Sequence, residues 1–223
     1  ADRVTPTDRR VMLLPGQSSA AYRWGTTADA VAIGLSTRPY LWRSSVRYSP
    51  PGASQLQVAV EDQLQQQRLV PGQLAPLLRL LSVATLIVSA DGDPAVSGEV
   101  GSKELADALA TQASSTRRIA TYGPTVPTGS RPGRQGFTSL LPTIAVYGFP
   151  RPSPGIVRTV DPVGGTVLDG DAYGIVELAA HGLLSQDQAL EYAGDLDRAE
   201  VARRVRDKAA LVFSDTNRRQ AIL

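Results

Sequence analysis

The chain has 223 residues, of which 42% are hydrophobic and 20% are charged, and its formal net charge is +2. These values are ordinary for a globular protein with one large core or two smaller ones. The absence of cysteine excludes disulfides, thiolate nucleophiles and zinc–thiolate sites, and the single histidine, His181, cannot form a multi-histidine metal site.

Strand and helix patterns alternate along the first two thirds of the chain. In chain order, we predict a strand at 9–14, a loop-rich insertion at 17–52, helices at 53–67 and 73–81, a strand at 83–89, a helix at 103–114 with Ser102 as its N-cap, and strands at 118–122 and 143–149. Residues 123–139 are rich in Gly, Pro, Ser and Thr, which predicts a mobile loop between the last two strands.

A proline-rich run at 150–155 predicts a linker, so we assign residues 1–150 to a first α/β domain and residues 156–223 to a smaller α/β unit. The smaller unit is predicted to contain a strand at 156–160, a helix at 171–182, a strand at 190–193, a helix at 200–210 and a strand at 209–213. Alternation of strand and helix implies parallel pairing. The predicted fold class is therefore α/β, with mixed, mostly parallel sheets flanked by helices.

No catalytic group or metal site stands out in the sequence. His181 ends an apolar helix, where a polar residue is ordinary, and no Gly-x-Ser-x-Gly elbow is present. Asp91-Gly92-Asp93 and Asp169-Gly170-Asp171 could hold a cation on a diphosphate, but Asp and Gly are also common turn residues. Gly164-Gly165 is similar to a phosphate-cradling turn, without the spacing or the lysine of a P-loop. We interpret all three as turns.

Aromatic and arginine side chains are concentrated in residues 22–48. An aromatic face can stack on the C–H groups of a sugar while charged planar groups hydrogen-bond its hydroxyls. The candidate ligand-binding residues are Tyr22, Arg23, Trp24, Trp42 and Arg43. The simpler alternative is that the aromatics fill the core beneath an irregular segment, each keeping one polar contact. Both interpretations stay open.

Several short runs of residues follow one another along the chain. They are Pro15-Gly16-Gln17, Tyr22-Arg23-Trp24-Gly25, Arg38-Pro39, Ser49-Pro50-Pro51-Gly52-Ala53, Leu74-Ala75-Pro76-Leu77-Leu78-Arg79 before the apolar run 83–88, Gly174-Ile175-Val176-Glu177-Leu178 with Gly182-Leu183-Leu184, and Ser214-Asp215-Thr216-Asn217-Arg218-Arg219. In this order they resemble the large actinobacterial membrane α-(1→3)-arabinofuranosyltransferases, which build the arabinan of the cell wall. The resemblance covers most of the chain.

The resemblance implies that the chain is one soluble domain of such a glycosyltransferase, without its catalytic residue. In this family a polytopic membrane region uses decaprenyl-phospho-arabinose as donor, and soluble domains follow it on the extracytoplasmic face of the plasma membrane. The expected partners are therefore the membrane-embedded catalytic region of the same chain and the arabinan or arabinogalactan of the cell envelope. No cofactor is expected. A nucleic-acid partner is not expected either, because the arginines alternate with acidic residues.

Three functional hypotheses remain. The leading one is a non-catalytic extracytoplasmic domain that supports the catalytic region or holds the acceptor glycan. The second is a stand-alone carbohydrate-binding module that uses the five candidate residues. The third is a soluble nucleotide-sugar-dependent enzyme with its site near Gly164-Gly165.

Overall fold

A computed structural model describes residues 5–16, 20–27, 29–43, 51–97, 101–128, 139–151, 153–185 and 187–216. The chain divides into two compact units, Ala1–Ile156 and Val157–Leu223. Strands and helices alternate in both, which confirms the predicted α/β class with mixed sheets and a smaller second unit. None of the helices within the described ranges has the length and hydropathy that crossing a membrane requires.

The first unit contains one five-stranded sheet and a separate hairpin. Its elements are β1 (Arg10–Leu14), β2 (Ala20–Tyr22), β3 (Gly25–Thr27), α1 (Val31–Leu35), β4 (Tyr40–Leu41), α2 (Pro51–Gln65), α3 (Leu74–Leu80), β5 (Val83–Ser89), α4 (Pro94–Ser97), α5 (Ser102–Thr111), β6 (Arg117–Pro127) and β7 (Leu140–Gly148). The sheet order is β4-β1-β5-β7-β6. Strands β4, β1 and β5 are parallel, whereas β7 is antiparallel to both β5 and β6. Strands β2 and β3 form the antiparallel hairpin.

The core of this unit lies on both faces of β1. Val11 and Leu13 point to one face, where they pack with Ala30 and the partly buried Ile33 at the start of α1. Met12 and Leu14 alternate with them, so they point to the opposite face, and both are buried. Such burial on both faces is typical of a parallel strand covered by helices.

The connections of this sheet reverse direction between β1 and β5. The chain leaves β1 toward β4 on one side, and it leaves β5 toward β7 on the other side. The carboxyl ends of the two parallel strands therefore flank a topological switch point, where open α/β sheets usually bind ligands.

The second unit is a three-stranded parallel sheet with two helices. It contains β8 (Asp161–Asp169), α6 (Ala172–Ala180), β9 (Gln188–Tyr192), a short 3₁₀ turn (Ala193–Asp195), α7 (Arg198–Arg206) and β10 (Ala210–Phe213). The order is β10-β8-β9 and both pairings are parallel, as the alternation predicted. Asp171 begins α6 by accepting hydrogen bonds from the backbone N–H groups of Tyr173 and Gly174.

Two predictions for residues 156–165 are wrong. Residues 157–160 form no strand, and β8 begins only at Asp161. Gly164-Gly165 therefore lies inside β8 and forms neither the predicted tight turn nor a phosphate-cradling turn. Gly164 has a φ of +70°, and the register with β9 shifts between Asp161 and Thr166, so these glycines accommodate a bulge.

Three predictions in the first unit also need correction. The strand predicted at 118–122 does not end before Gly123, because β6 continues to Pro127 along β7 and accommodates an irregularity at Gly123, whose φ is +77°, so residues 123–127 are not part of a loop. The loop-rich insertion contains β2, β3, α1 and β4. Gly101, not Ser102, is the N-cap of α5. Residues 129–138 of the predicted mobile loop, residues 17–19, 28 and 44–50 of the insertion, and the closing run from Asn217 lie outside the described residues.

Candidate functional site

The β2–β3 hairpin lies at the switch point between β1 and β5. It follows β1 in the chain and pairs with the segment that follows β5. The backbone N–H of Arg23 donates to the carbonyl oxygen of Asp91 (2.9 Å), and the N–H of Asp93 donates to the carbonyl oxygen of Ala21 (3.0 Å). An isolated β-bridge joins Tyr22 to Gly92 between these two bonds. Residues 91–93 thus hold the hairpin at the carboxyl end of the sheet.

Two aromatic rings are stacked at the tip of this hairpin. The ring centroids of Tyr22 and Trp24 are 4.7 Å apart with an interplanar angle of 7°. The side chain of Trp24 is 60% exposed, although it is large and mostly apolar. An exposed tryptophan in a fixed stack is unusual for a group that only fills space, since aromatic side chains normally bury most of their surface.

Hydrogen bonds fix the orientation of both rings. The indole Nε1 of Trp24 donates to Asp91 Oδ2 (2.9 Å), and the hydroxyl of Tyr22 accepts from the backbone N–H of Val31 (3.2 Å). The second carboxylate oxygen of Asp91 accepts from the hydroxyl of Ser89, the last residue of β5. Because both oxygens of Asp91 are engaged, this carboxylate positions the aromatic pair.

The two Asp-Gly-Asp runs act as turns in the structure. Asp93 Oδ1 accepts from the N–H of Ala95 (3.0 Å) at the start of α4, while Asp171 caps α6. Among the described residues, no group of three or more His, Asp or Glu side chains is arranged to hold a metal ion. His181 is the exposed C-cap of α6, which agrees with its interpretation as a helix-end residue.

The other two candidate residues lie elsewhere. Trp42 packs against the cluster of Val11, Leu13 and Ala30 on one face of the sheet. Arg43 forms an ion pair with Asp62 on α2, with 3.0 Å between Arg43 Nη1 and Asp62 Oδ1. Tyr22, Arg23 and Trp24 thus share the hairpin tip, whereas Trp42 contacts the sheet cluster and Arg43 contacts α2. Trp42 therefore fits the core-filling interpretation, whereas Trp24 at the hairpin tip is exposed.

A fully buried glutamate lies near the same end of β1, and the sequence analysis missed it. Gln57, Glu61 and Gln65 recur every four residues on α2, so they share the helix face that meets Gly16. Gln57 Nε2 donates to Glu61 Oε1 (2.9 Å), and Gln65 Nε2 donates to the carbonyl oxygen of Gly16 (3.2 Å). Glu61 is 0% exposed, and among the described residues its Oε2 has no hydrogen-bond partner.

Burial controls the ionisation of this glutamate. It raises the pKa of Glu61 to about 7, although the hydrogen bond from Gln57 and the charge of Arg43 oppose the increase. Glu61 has no exposed surface, so its ionisation affects the stability of the fold.

Comparison with known proteins gives a consistent result. The model of the family described as α-(1→3)-arabinofuranosyltransferase, N-terminal GT-C domain, matches residues 3–222. A cryo-EM structure of arabinofuranosyltransferase AftD from mycobacteria has a TM-score of 0.65 and 20% sequence identity, covering 78% of this chain and 14% of that one. Two classes of a mutant of that enzyme have TM-scores of 0.61 and 0.62 at the same identity and coverage. No curated protein matches the chain.

These matches show the same fold within a small part of a much longer protein, since the chain spans 14% of the length of the solved relatives. The family description also corrects one implication of the sequence resemblance. That resemblance placed the chain among the domains that follow the catalytic region, whereas the matching model describes the N-terminal GT-C domain.

Proposed function

Because this chain belongs to the α-(1→3)-arabinofuranosyltransferase family, we propose that it is a non-catalytic, extracytoplasmic domain of a membrane enzyme that builds cell-wall arabinan. In this role it supports the membrane-embedded catalytic region of the same protein, and its hairpin holds the acceptor glycan. Family membership supports the first part of the proposal, and the geometry of the hairpin supports the second.

The exposed aromatic pair is the observation that carries the glycan-binding role. A flat ring held rigidly at the surface offers its face to the apolar C–H groups of a furanose, at little cost in side-chain entropy. Trp24 and Tyr22 meet this requirement because Asp91 and Val31 fix their polar ends by hydrogen bonds.

Arg23 supplies the polar component of the same surface. It lies in the turn between Tyr22 and Trp24, and its side chain is exposed. Its guanidinium offers several N–H donors in a planar fork, which suits the adjacent hydroxyl oxygens of a sugar. An arabinan chain therefore meets both an apolar face and a hydrogen-bond donor at the tip of the hairpin.

The two tryptophans of the chain make the glycan contact measurable, since the sequence contains no others. In a Trp42→Phe variant, Trp24 becomes the sole tryptophan, and we expect millimolar arabinan oligosaccharides to change its fluorescence. In the matched Trp24→Phe variant, the packed Trp42 should give no response. Trp24→Ala should weaken glycan affinity by about tenfold or more, as expected for loss of an aromatic anchor. An unchanged fluorescence emission of the Trp42→Phe variant throughout the titration would exclude a glycan contact at the hairpin.

The non-catalytic role has its own test. The chain is incubated with a polyprenyl-phospho-arabinose donor and an arabinan acceptor, and the products are separated by mass. We expect no transfer. Elongation of the acceptor by the chain alone would contradict the proposal, whatever the fluorescence titration shows.

The extracytoplasmic location can be tested because the chain lacks cysteine. Val157 is 93% exposed, so a Val157→Cys substitution in the full-length enzyme presents an accessible thiol. A membrane-impermeant maleimide should label this variant in intact cells, above the background of the unsubstituted enzyme. Labelling that requires cell lysis would place the domain on the cytoplasmic side.

A further inference from the structure

A second candidate site lies at the opposite end of the first sheet. A cavity of about 520 Å³ opens at the amino end of β5, where Ala84 and Thr85 form part of its lining. Strand β5 has seven residues, so this end lies roughly 20 Å from the hairpin at a rise of about 3.3 Å per residue. The volume falls within the roughly 300–1,000 Å³ of small-molecule sites.

Buried hydrogen bonds hold the walls of this cavity in place. The hydroxyls of Thr5 and Thr85 are 2.7 Å apart, and the hydroxyl of Ser153 donates to the carbonyl oxygen of Val83. Thr5, Thr85 and Ser153 are each at most 2% exposed. The N–H of Ile156 also donates to the carbonyl oxygen of Asp8 (2.8 Å). The segments before β1 and after β7 are thus tied to the amino end of the sheet, and the cavity between them is preformed.

The charge on the lining has one sign. Arg9, Arg117 and Arg151 line the cavity, and none of the described residues in its lining is acidic. Thr85, Gly148 and Arg117 lie side by side across β5, β7 and β6, so the strand register brings Arg117 to the same end of the sheet as Thr85.

These arginines are not neutralised within the part of the chain that the structure describes. None of the three guanidinium groups forms an ion pair there, and the buried Nε of Arg9 has no hydrogen-bond partner. The burial penalty for an unpaired donor applies to Arg9 Nε, because Arg9 is half-buried whereas Arg117 and Arg151 are exposed. Like charges around one cavity also repel. An anion in the cavity would pair with Arg9 Nε and reduce this repulsion.

We propose that this cavity binds the phosphate group of an organic phosphate ester. A phosphate monoester carries a charge near −2 and several strong acceptor oxygens, which three guanidinium groups can bind in bidentate fashion. The side chains of Ile119 and Phe149 line the same cavity and provide an apolar wall for the organic part. The ester is either a soluble metabolite or the headgroup of a lipid, because both present the same phosphate chemistry.

The binding test uses three probes on the 223-residue chain: inorganic phosphate, phenyl phosphate, and vesicles of phosphatidylcholine with or without phosphatidic acid. Calorimetry should show millimolar or tighter binding of phenyl phosphate, with inorganic phosphate weaker because it lacks an apolar group. Benzoate, which offers a single carboxylate, should bind at least about tenfold more weakly than phenyl phosphate. Binding to phosphatidic acid vesicles that phenyl phosphate displaces would identify the lipid headgroup as the source.

A charge-matched pair of variants tests whether the cavity is responsible. Arg9→Gln/Arg117→Gln/Arg151→Gln should weaken phenyl phosphate binding by about a hundredfold or more, as expected for loss of several charge-assisted hydrogen bonds. The control Arg68→Gln/Arg198→Gln/Arg206→Gln removes the same charge from exposed positions outside the cavity and should leave the affinity unchanged. Trp24→Ala should also leave phosphate binding unchanged.

Two results would overturn the proposal. One is the absence of binding to all three phosphate probes by a chain that gives the native circular dichroism spectrum. The other is an equal loss of affinity in the two triple variants, since this would show a diffuse effect of net charge. Neither result depends on whether the hairpin binds glycan.

Discussion

Glu61 couples the stability of the first unit to pH through a single carboxyl group. Its pKa rises from the ordinary value of 4.5 to about 7 because α2 buries it against Gly16. At a pH between these two pKa values, the carboxyl group of Glu61 is protonated in the folded chain and ionised in the unfolded chain. The resulting stabilisation is complete below pH 4.5, declines as the pH rises from 4.5 to about 7, and is lost above that pH, where both states are deprotonated.

We predict that Glu61→Gln removes this pH dependence. The amide keeps the shape of the side chain and can still accept the hydrogen bond from Gln57, but it does not ionise. Relative to the unsubstituted chain, the variant should gain stability on the order of 3 kcal/mol as the pH rises from about 4.5 to about 8. Urea denaturation across this range measures the difference, and the exposed Glu177→Gln provides the control. Parallel stability profiles for the Glu61→Gln variant and the parent would contradict the prediction.

Gly16 is required by its close approach to the same carboxyl. A Cβ added at Gly16 would lie 1.9 Å from Glu61 Oε2 and 3.1 Å from the Cβ of Arg43. Because Glu61 is enclosed, its carboxyl cannot move away freely, and Gly16→Ala should destabilise the chain by about 1–3 kcal/mol. In a Glu61→Ala background the same substitution should cost less, and a double-mutant cycle in urea measures that coupling. Gly34→Ala, where a Cβ meets open space, is the control. Strict additivity in the cycle would show that the clash is not the cause.

At the scale of elements, Gln112 joins the end of α5 to the connection between α2 and α3. This side chain is 0% exposed. Its Oε1 accepts from the backbone N–H groups of Gly72 (3.1 Å) and Leu74 (3.3 Å), and its Nε2 donates to the carbonyl oxygen of Val70 (2.8 Å). One glutamine thus pairs three backbone groups, and it is the partner that the structure gives to the N–H groups of Gly72 and Leu74, whereas the carbonyl oxygen of Val70 also accepts from the N–H of Gln73 (3.2 Å).

We predict that Gln112→Ala costs on the order of 3 kcal/mol of unfolding free energy, since it removes the hydrogen-bond acceptor of the Gly72 and Leu74 N–H groups and opens a cavity. Gln112→Met retains the volume without the hydrogen bonds and should keep most of the loss. Urea denaturation gives the free energies, and hydrogen exchange should show faster opening at residues 70–74. The exposed Gln66→Ala is the control. A Gln112→Met variant as stable as the parent would assign the effect to packing alone.

Local sequence patterns correctly predicted the elements whose hydrophobic spacing and flanking turn residues are clear from the sequence itself. Strand β5 is found at Val83–Ser89 as predicted, because its branched apolar residues are bounded by turn-forming residues. The α2 and α3 helices lie within two residues of their predicted limits. The long β6 strand was missed because its continuation depends on β7, which supplies partners as far as Pro127. The pairing of β6 with β7 therefore outweighs the turn propensity of Gly123-Pro124.

The candidate sites also divide into residues that a local sequence pattern identifies and residues that only the fold brings together. Tyr22, Arg23 and Trp24 are adjacent in sequence, so composition was sufficient to select them. The role of Asp91 was not predictable, because 67 residues separate it from Trp24. Glu61 had a local signal, a glutamate in the polar series Gln57, Glu61, Gln65 beside apolar positions of α2, but only the fold shows that Gly16 covers it. The three arginines of the cavity come from distant segments and meet only in the folded sheet.

At the scale of the whole molecule, the second unit depends on β8, the central strand of its sheet. Val167 and Leu168 are fully buried in this strand, and Gly165 approaches β9 closely. A Cβ added at Gly165 would lie 2.5 Å from the carbonyl oxygen of Ala189. The obstacle is backbone, so β8 and β9 must separate to admit it.

We therefore predict that Gly165→Ala destabilises the second unit selectively, by about 2 kcal/mol or more. Compact units usually open as cooperative blocks, so hydrogen exchange should accelerate across β8, β9 and β10 while β1 and β5 keep their protection. Gly194→Ala, in the same unit but with open space around the added Cβ, should leave exchange unchanged. Equal acceleration in β5 would mean that the two units unfold as one. In that case glycan binding at the hairpin should weaken with the Gly165→Ala substitution, whereas independent units require that the hairpin keep its affinity.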